Sequence, residues 1–312
     1  YDSKKLKFGN KYLIPKPLDP RLMTRISPAV AKAAMDSNIA QLKIEDWDQY
    51  EIELEERLGI DHRLISRIIT RAKKDPKRVI FGEAHDVSIL KAAQQVVDQG
   101  IAIPILLGNV TLINSLIKEN DLDLKNCEII DPLDEVSKRA DFASKLFALR
   151  QRKGMTHQGA QEAMLNSNYF GVMMVNIGAA DAFISGLSND YPETIRPALE
   201  IIGAEEGIKR VAGMYILSNK KGNYFLSDTT VNLNPTQDQL VDIMGLTARA
   251  VRFFDVEPRM AGLSYSNFGS AKGEVPEKMA KAVAQAKKQW PDLLIDGEIQ
   301  ANVALNKEVL QG

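Results

Sequence analysis

"RVIFGEAHDVSILKAAQQVVDQGIAIPILLG", residues 78–108, contains the unit that decides the fold. Its two ends, RVIFGE (78–83) and IPILLG (103–108), are short apolar runs bounded by glycine, as buried parallel strands are. Between them ILKAAQQVVDQ has helical spacing; Asp86 or Ser88 can cap its start, and Gly100 stops it. Strand, helix and strand at this separation make a βαβ unit, in which the strands lie parallel and the helix crosses one face.

The same alternation continues outward. CEIID (127–131) is read as a third strand, followed by a helix over about 134–151 and a second helix, HQGAQEAML, that Thr156 can cap. FGVMMVN (170–176) and ADAFISG (180–186) are read as strands, with a helix after Thr194. Further strands fall at about 211–217, 223–227, 259–265 and 292–296, and Thr236 with Gln239 forms a capping-box pair for QDQLVDIMGLTARAVRFF. The pattern predicts an α/β protein of two lobes, mainly parallel sheets with flanking helices, and a cleft between the lobes. In front stands LKFGNKYLIPKPLDPRL (6–22), where Pro15, Pro17 and Pro20 fix φ and withhold donors, so an extended arm is expected. A helix over about 28–36 follows, with Ser27 as its cap and Pro28 in its first turn, and then a charged helical connector over 45–74. The absence of an initiating Met and the internal character of both ends lead us to expect a piece of a longer protein.

Composition excludes several function classes. The 312 residues carry 40 basic and 41 acidic side chains, a net charge of −1, which gives no electrostatic footprint for nucleic acid or a membrane surface. A single cysteine, Cys127, rules out an internal disulfide framework and suits a reducing, cytoplasmic compartment. No apolar run approaches the length of a membrane span. No G-x-G-x-x-G follows an expected strand, no P-loop is present, and His62, His85, His157 and Cys127 show no zinc spacing. No metal ligands are expected here.

Two stretches carry chemistry. In SNDYPETIRPALEII (188–202), Arg196 falls just before Pro197, which reads as a first-turn proline; an arginine fork beside free helix amides would make an anion site. The alternative is surface pairing of Arg196 with Glu193 or Asp190. In AGLSYSNFGSAKGE (261–274), a strand runs into small hydroxyls and glycines that let a ligand approach the backbone, although such loops also serve as plain connections. Glu83 and His85 at the end of the first strand could do acid–base work, or the segment could be a turn in which Asp86 caps the next helix. Cys127 reads as an inert, buried thiol.

Taken together, RVIFGEAHDVSILKAA, GIAIPILLGN, IIDP, RQRKGMT, ADAFISG, ETIRPALEII, LSDTTVNLNPT, EPRMAGLSYSNFGS and LLIDGEIQANVAL resemble the phosphotransacetylase family in order and spacing over about 78–305. The resemblance implies two α/β lobes, an architecture shared with isocitrate and isopropylmalate dehydrogenases, and acetyl transfer between CoA and phosphate. By motif it implies acyl-CoA or phosphate contacts from Arg150, Thr194, Arg196 and the loop residues Ser264, Ser266, Asn267, Gly269 and Ser270. Departures accompany it. Asn189, Asp190 and Tyr191 stand where transferases carry a His-Ser/Thr-Thr run, Ser88 replaces a usual arginine, and the family's closing segment, with its serine–arginine pair and aspartate base, is not represented. No catalytic residue is therefore assigned. FGNKYLIPKPLDPRL with SPAVAKAAMDS resembles the exit of the catalytic region in bacterial hybrid malic enzymes, which carry a phosphotransacetylase-like domain behind the catalytic one. That resemblance implies residues 1–76 as malic-enzyme tail and connector and 77–312 as the appended domain, with lobes at about 77–210 and 211–312. It further implies a regulatory domain that binds acetyl-CoA, inactive in transfer, within a homo-oligomer that contacts its own upstream malic-enzyme domain. NADP and Mg or Mn would belong to that upstream domain alone. The alternatives are an active phosphate acetyltransferase and an oligomerisation scaffold with a vestigial cleft.

Overall fold

The computed structural model describes residues 21–57, 63–219 and 222–306. The expected arm lies outside the described residues except for Arg21 and Leu22, which begin α1 (Arg21–Asp36). That helix starts earlier than the expected 28 and runs through Pro28. Proline withholds one donor, but its fixed φ is helical, so good helix formers on both sides carry the chain past it. The connector forms α2 (Trp47–Arg57) and α3 (Arg63–Lys74), and Pro76 follows where α3 has stopped. No helix among the described residues is long and apolar enough to cross a membrane.

The chain divides into two compact units, residues 68–209 and residues 210–312 together with 1–67. In the first, β1 (Lys77–Phe81), α4 (Val87–Gln99) and β2 (Ala102–Leu107) are the predicted βαβ unit. Asp86 accepts the Ser88 amide at 2.6 Å as N-cap, and Gly100 closes the helix at φ +64°. Next come α5 (Val110–Glu119), β3 (Glu128–Ile130), α6 (Val136–Arg150), a 3₁₀ turn at Gln151–Lys153, α7 (His157–Ala163), which Thr156 caps, α8 (Ser167–Asn176), β4 (Ala182–Ile184) and α9 (Tyr191–Ile201). The sheet is all parallel in the order β3-β2-β1-β4. Alternate side chains enter two cores. Ile80, Ile105 and Leu107 pack with α6 to α8, and Phe81 and Leu106 pack with α4 and α5. A sheet covered on both faces reads as continuous apolar runs, which is why its strands stood out.

One expected strand is a helix. FGVMMVN belongs to α8, whose N-cap Asn166 accepts the amides of Asn168 and Tyr169 at 2.8 and 3.4 Å. Phe170, Val172, Met173 and Met174 are all buried. A helix apolar all round has no amphipathic stripe, so its period is hidden.

The second unit holds β5 (Met214–Asn219), β6 (Gly222–Ser227), α10 (Gln237–Phe253), β7 (Arg259–Leu263), α11 (Glu274–Gln289), β8 (Leu294–Ile299) and α12 (Ala301–Ala304). β7 and β8 are parallel, but β5 and β6 are antiparallel. Two residues separate Asn219 from Gly222, which is too short for the crossover that parallel strands need. Val241, Met244 and Ala248 of α10 meet Ala282, Val283 and Ala286 of α11 over Ile295 of β8. The Thr236–Gln239 capping box opens α10 as the sequence predicts.

Candidate functional site

Within residues 68–209 the chemistry starts at the carboxyl end of β1. Glu83 is buried, with 2% of its surface exposed, and gathers five donors from one turn. The amides of Gly186, Leu187 and Ser188 reach it at 2.8, 2.7 and 2.7 Å, the Ser188 hydroxyl at 2.6 Å and the Asn189 side chain at 3.0 Å. Burial alone would raise its pKa, but the Ser188 hydroxyl and these amides hold it down to about 2. A carboxylate so satisfied is a brace and not a general acid. It fixes the turn that feeds α9, and Asp86 beside it serves as the helix cap.

α9 starts earlier than expected. Asp190 is its N-cap residue and Pro192 sits in its first turn, so Arg196 lies in the second turn and not at the helix mouth. Pro197 is inside the helix, where its missing N–H would leave the Glu193 carbonyl without its usual donor. Asn168 of α8, 2% exposed, turns its side-chain amide toward that carbonyl at 3.5 Å and accepts the Ser185 hydroxyl at 2.7 Å. The anion site cannot therefore rest on Arg196 sharing a helix terminus with free amides. Neither Glu193 nor Asp190 pairs with it among the described residues, and it is exposed.

What Arg196 does share is a polar cluster with Arg150. Arg150 ends α6, Tyr169 stands on α8, and Glu200 is one turn after Arg196 on α9. The Tyr169 hydroxyl donates to Glu200 Oε2 at 2.8 Å, and Arg150 Nη2 stands 3.9 Å from Glu200 Oε1. Burial, with the Glu200 bond and charge, pushes the Tyr169 phenol up to about 12 against the opposing pull of Arg196 and Arg150. Thr194 is half-buried, donates to the Asp190 carbonyl at 3.2 Å, and lines an apolar recess of about 380 Å³ with Val172, Phe183, Ile184, Ile195 and Ala198.

The serine–glycine loop belongs to the other unit and is built around a second buried carboxylate. Glu298, 4% exposed, accepts the Gly269 amide at 2.6 Å and the Ser266 hydroxyl at 3.1 Å. The Gly269 amide lowers its pKa against the cost of burial, with the Ser266 hydroxyl adding to the effect. Ser266 is fully buried and also accepts the Ala271 amide at 3.1 Å, so its hydroxyl is spent on the loop itself. Ser270 Oγ accepts the Asn267 amide at 2.8 Å, Asn267 Oδ1 accepts the Gln300 amide at 2.8 Å, and Ser264 Oγ accepts the Ser266 amide at 3.3 Å. Gly269, at φ +86°, is exposed with Ser270 at the rim.

Sequence reasoning missed Tyr169, Glu200, and the bracing roles of Glu83 and Glu298. Glu200 was findable from its i+4 spacing to Arg196. Tyr169 was hidden once 170–176 was read as a strand. Cys127 is half-buried, and burial raises its thiol pKa, in keeping with an inert side chain. Among the described residues, no three of His, Cys, Asp and Glu gather as a metal site.

Comparison with known proteins gives this geometry its context. The chain is 38% identical over 99% of its length to an NADP-dependent malic enzyme of Salmonella typhimurium and 37% identical over 98% to one of Escherichia coli. It matches the C-terminal region of such enzymes and spans 41% of their length. It is 37% identical to a phosphate acetyltransferase of Acetivibrio thermocellus over 78% of this chain and 75% of that one. Among solved structures, the EutD phosphotransacetylase from Staphylococcus aureus superposes with a TM-score of 0.70 and 30% identity, covering 81% of this chain and 77% of that one. With residues 63–312 also matching its profile, the chain belongs to the phosphate acetyl/butaryl transferase family.

Proposed function

We propose that this chain is an acyl-CoA-binding member of its family that regulates a malic-enzyme activity elsewhere in a longer protein and does not itself transfer acetyl groups. The observation that carries the binding reading is that Arg150 stands 3.9 Å from Glu200, which lies one helical turn after Arg196 on α9. Paired arginines suit the phosphates of CoA, because a planar fork of donors matches phosphate oxygens. Loss of transfer follows from the start of α9. Asn189 spends its amide on Glu83, and Asp190, the N-cap residue, puts a carboxylate at the helix end whose dipole would otherwise favour an anion. At about 4 Å and an effective dielectric near 20, a like-charge contact with inorganic phosphate costs roughly 4 kcal/mol, about three powers of ten in affinity.

Regulation requires acetyl-CoA to favour one arrangement of the whole protein over another, since equal affinity for both shifts nothing. A coupling of about 1–3 kcal/mol is typical. NADP and a divalent metal belong, in this reading, to the upstream catalytic region of a cytoplasmic homo-oligomer. Assay of the full-length protein tests it: malate-dependent NADP reduction falls as acetyl-CoA is added, while acetyl-CoA plus phosphate releases no CoA thiol to DTNB. The second reading, an active phosphate acetyltransferase, draws on the 37% identity to the Acetivibrio thermocellus transferase. Thiol release at ordinary enzyme rates would establish it and overturn ours.

A further inference from the structure

Glu200 lies between a phenol and a guanidinium, and the two contacts are unequal. Tyr169 makes a full hydrogen bond to one carboxylate oxygen at 2.8 Å, while Arg150 stands 3.9 Å from the other, beyond hydrogen-bond range. The side chains of Arg150 and Glu200 are only 21% and 20% exposed. In such shielded surroundings an arginine and a carboxylate normally close into a two-bond fork, which satisfies both and neutralises the cation. Here that fork is open. The Arg150 guanidinium donates no hydrogen bond among the described residues, so its donors remain for an incoming anion.

We propose that Tyr169 is a positioning residue: its hydroxyl holds the Glu200 carboxylate short of the fork that would block the Arg150 guanidinium. The inference rests on the reading of Arg150 as a contact to acyl-CoA phosphates. The tether persists at neutral pH because the phenol, pushed up to about 12, keeps its proton.

Calorimetric titration of the full-length protein with acetyl-CoA tests the device through a double-mutant cycle. Tyr169→Phe frees the carboxylate to close on Arg150, and affinity is expected to fall about tenfold. Glu200→Gln removes the competing charge while keeping the shape, and its affinity is expected to equal or exceed that of the wild type. The double variant Y169F/E200Q is expected to bind as E200Q does, because the phenol has nothing left to restrain. A purely structural tyrosine would weaken both backgrounds alike, so persistence of the loss in the double variant overturns the inference. Unchanged binding by Y169F, or a tenfold loss in E200Q alone, overturns it as well. These outcomes leave the acyl-CoA reading standing when the wild type binds and Arg150→Gln does not. Absence of binding by the wild type contradicts that reading and the inference together.

Discussion

A buried Glu83 with five donors would be hard to replace. Glu83→Gln keeps the volume but supplies an amide where the turn offers only donors, so at least one of the Gly186, Leu187 and Ser188 amides loses its acceptor. Urea denaturation should show a loss of about 3 kcal/mol. The acid limb carries a sharper signature. Glu83 is held at about 2 in the folded chain against an ordinary value of 4.5. Its contribution is complete above pH 4.5 and fades as pH falls toward 2, where the unfolded chain takes a proton that the folded one refuses. Stability should therefore drop across that interval in the wild type and along a shallower slope in E83Q. Equal slopes would mean that another carboxylate dominates, and Asp228, also held at about 2 by Asn232 and backbone amides against its burial, is the next to examine.

At the scale of elements, local rules and packing divide the outcome. Where a cap or a turn residue acts alone, the sequence was legible: Asp86, Gly100, Thr156 and the Thr236–Gln239 box all stand where their chemistry places them. Thr236→Ala should cost about 1 kcal/mol, read as a lower urea midpoint with unchanged slope. Helix α9 was misplaced because a proline after Arg196 looks like a start, and only the tertiary contact from Asn168 shows how it serves inside. Helix α8 was misread because burial on every side erases the helical period. Its packing offers a direct check. A β-carbon on Gly171 would sit 2.5 Å from the Phe183 ring and 3.2 Å from Leu107. Gly171→Ala should overpack this core at a cost of about 2 kcal/mol, visible in thermal unfolding.

Across the whole chain, the family was legible because its motifs are local and ordered, and a profile over 63–312 together with relatives at 37–38% identity supports it. The proposed cations, Arg150 and Arg196, stand in motifs that the sequence displays, whereas their surroundings do not. Arg150 and Arg196 are 46 positions apart in sequence, and only the packing of α6, α8 and α9 sets them about Tyr169 and Glu200. The helix-mouth argument for Arg196 failed, so the proposal rests on two guanidinium groups instead of one and a dipole. The most direct measurement is calorimetric binding of acetyl-CoA to the intact protein and to its Arg150→Gln and Arg196→Gln variants. A saturable site in the wild type, weakened at least tenfold by either substitution, is the predicted result. Wild-type affinity in both variants would contradict it.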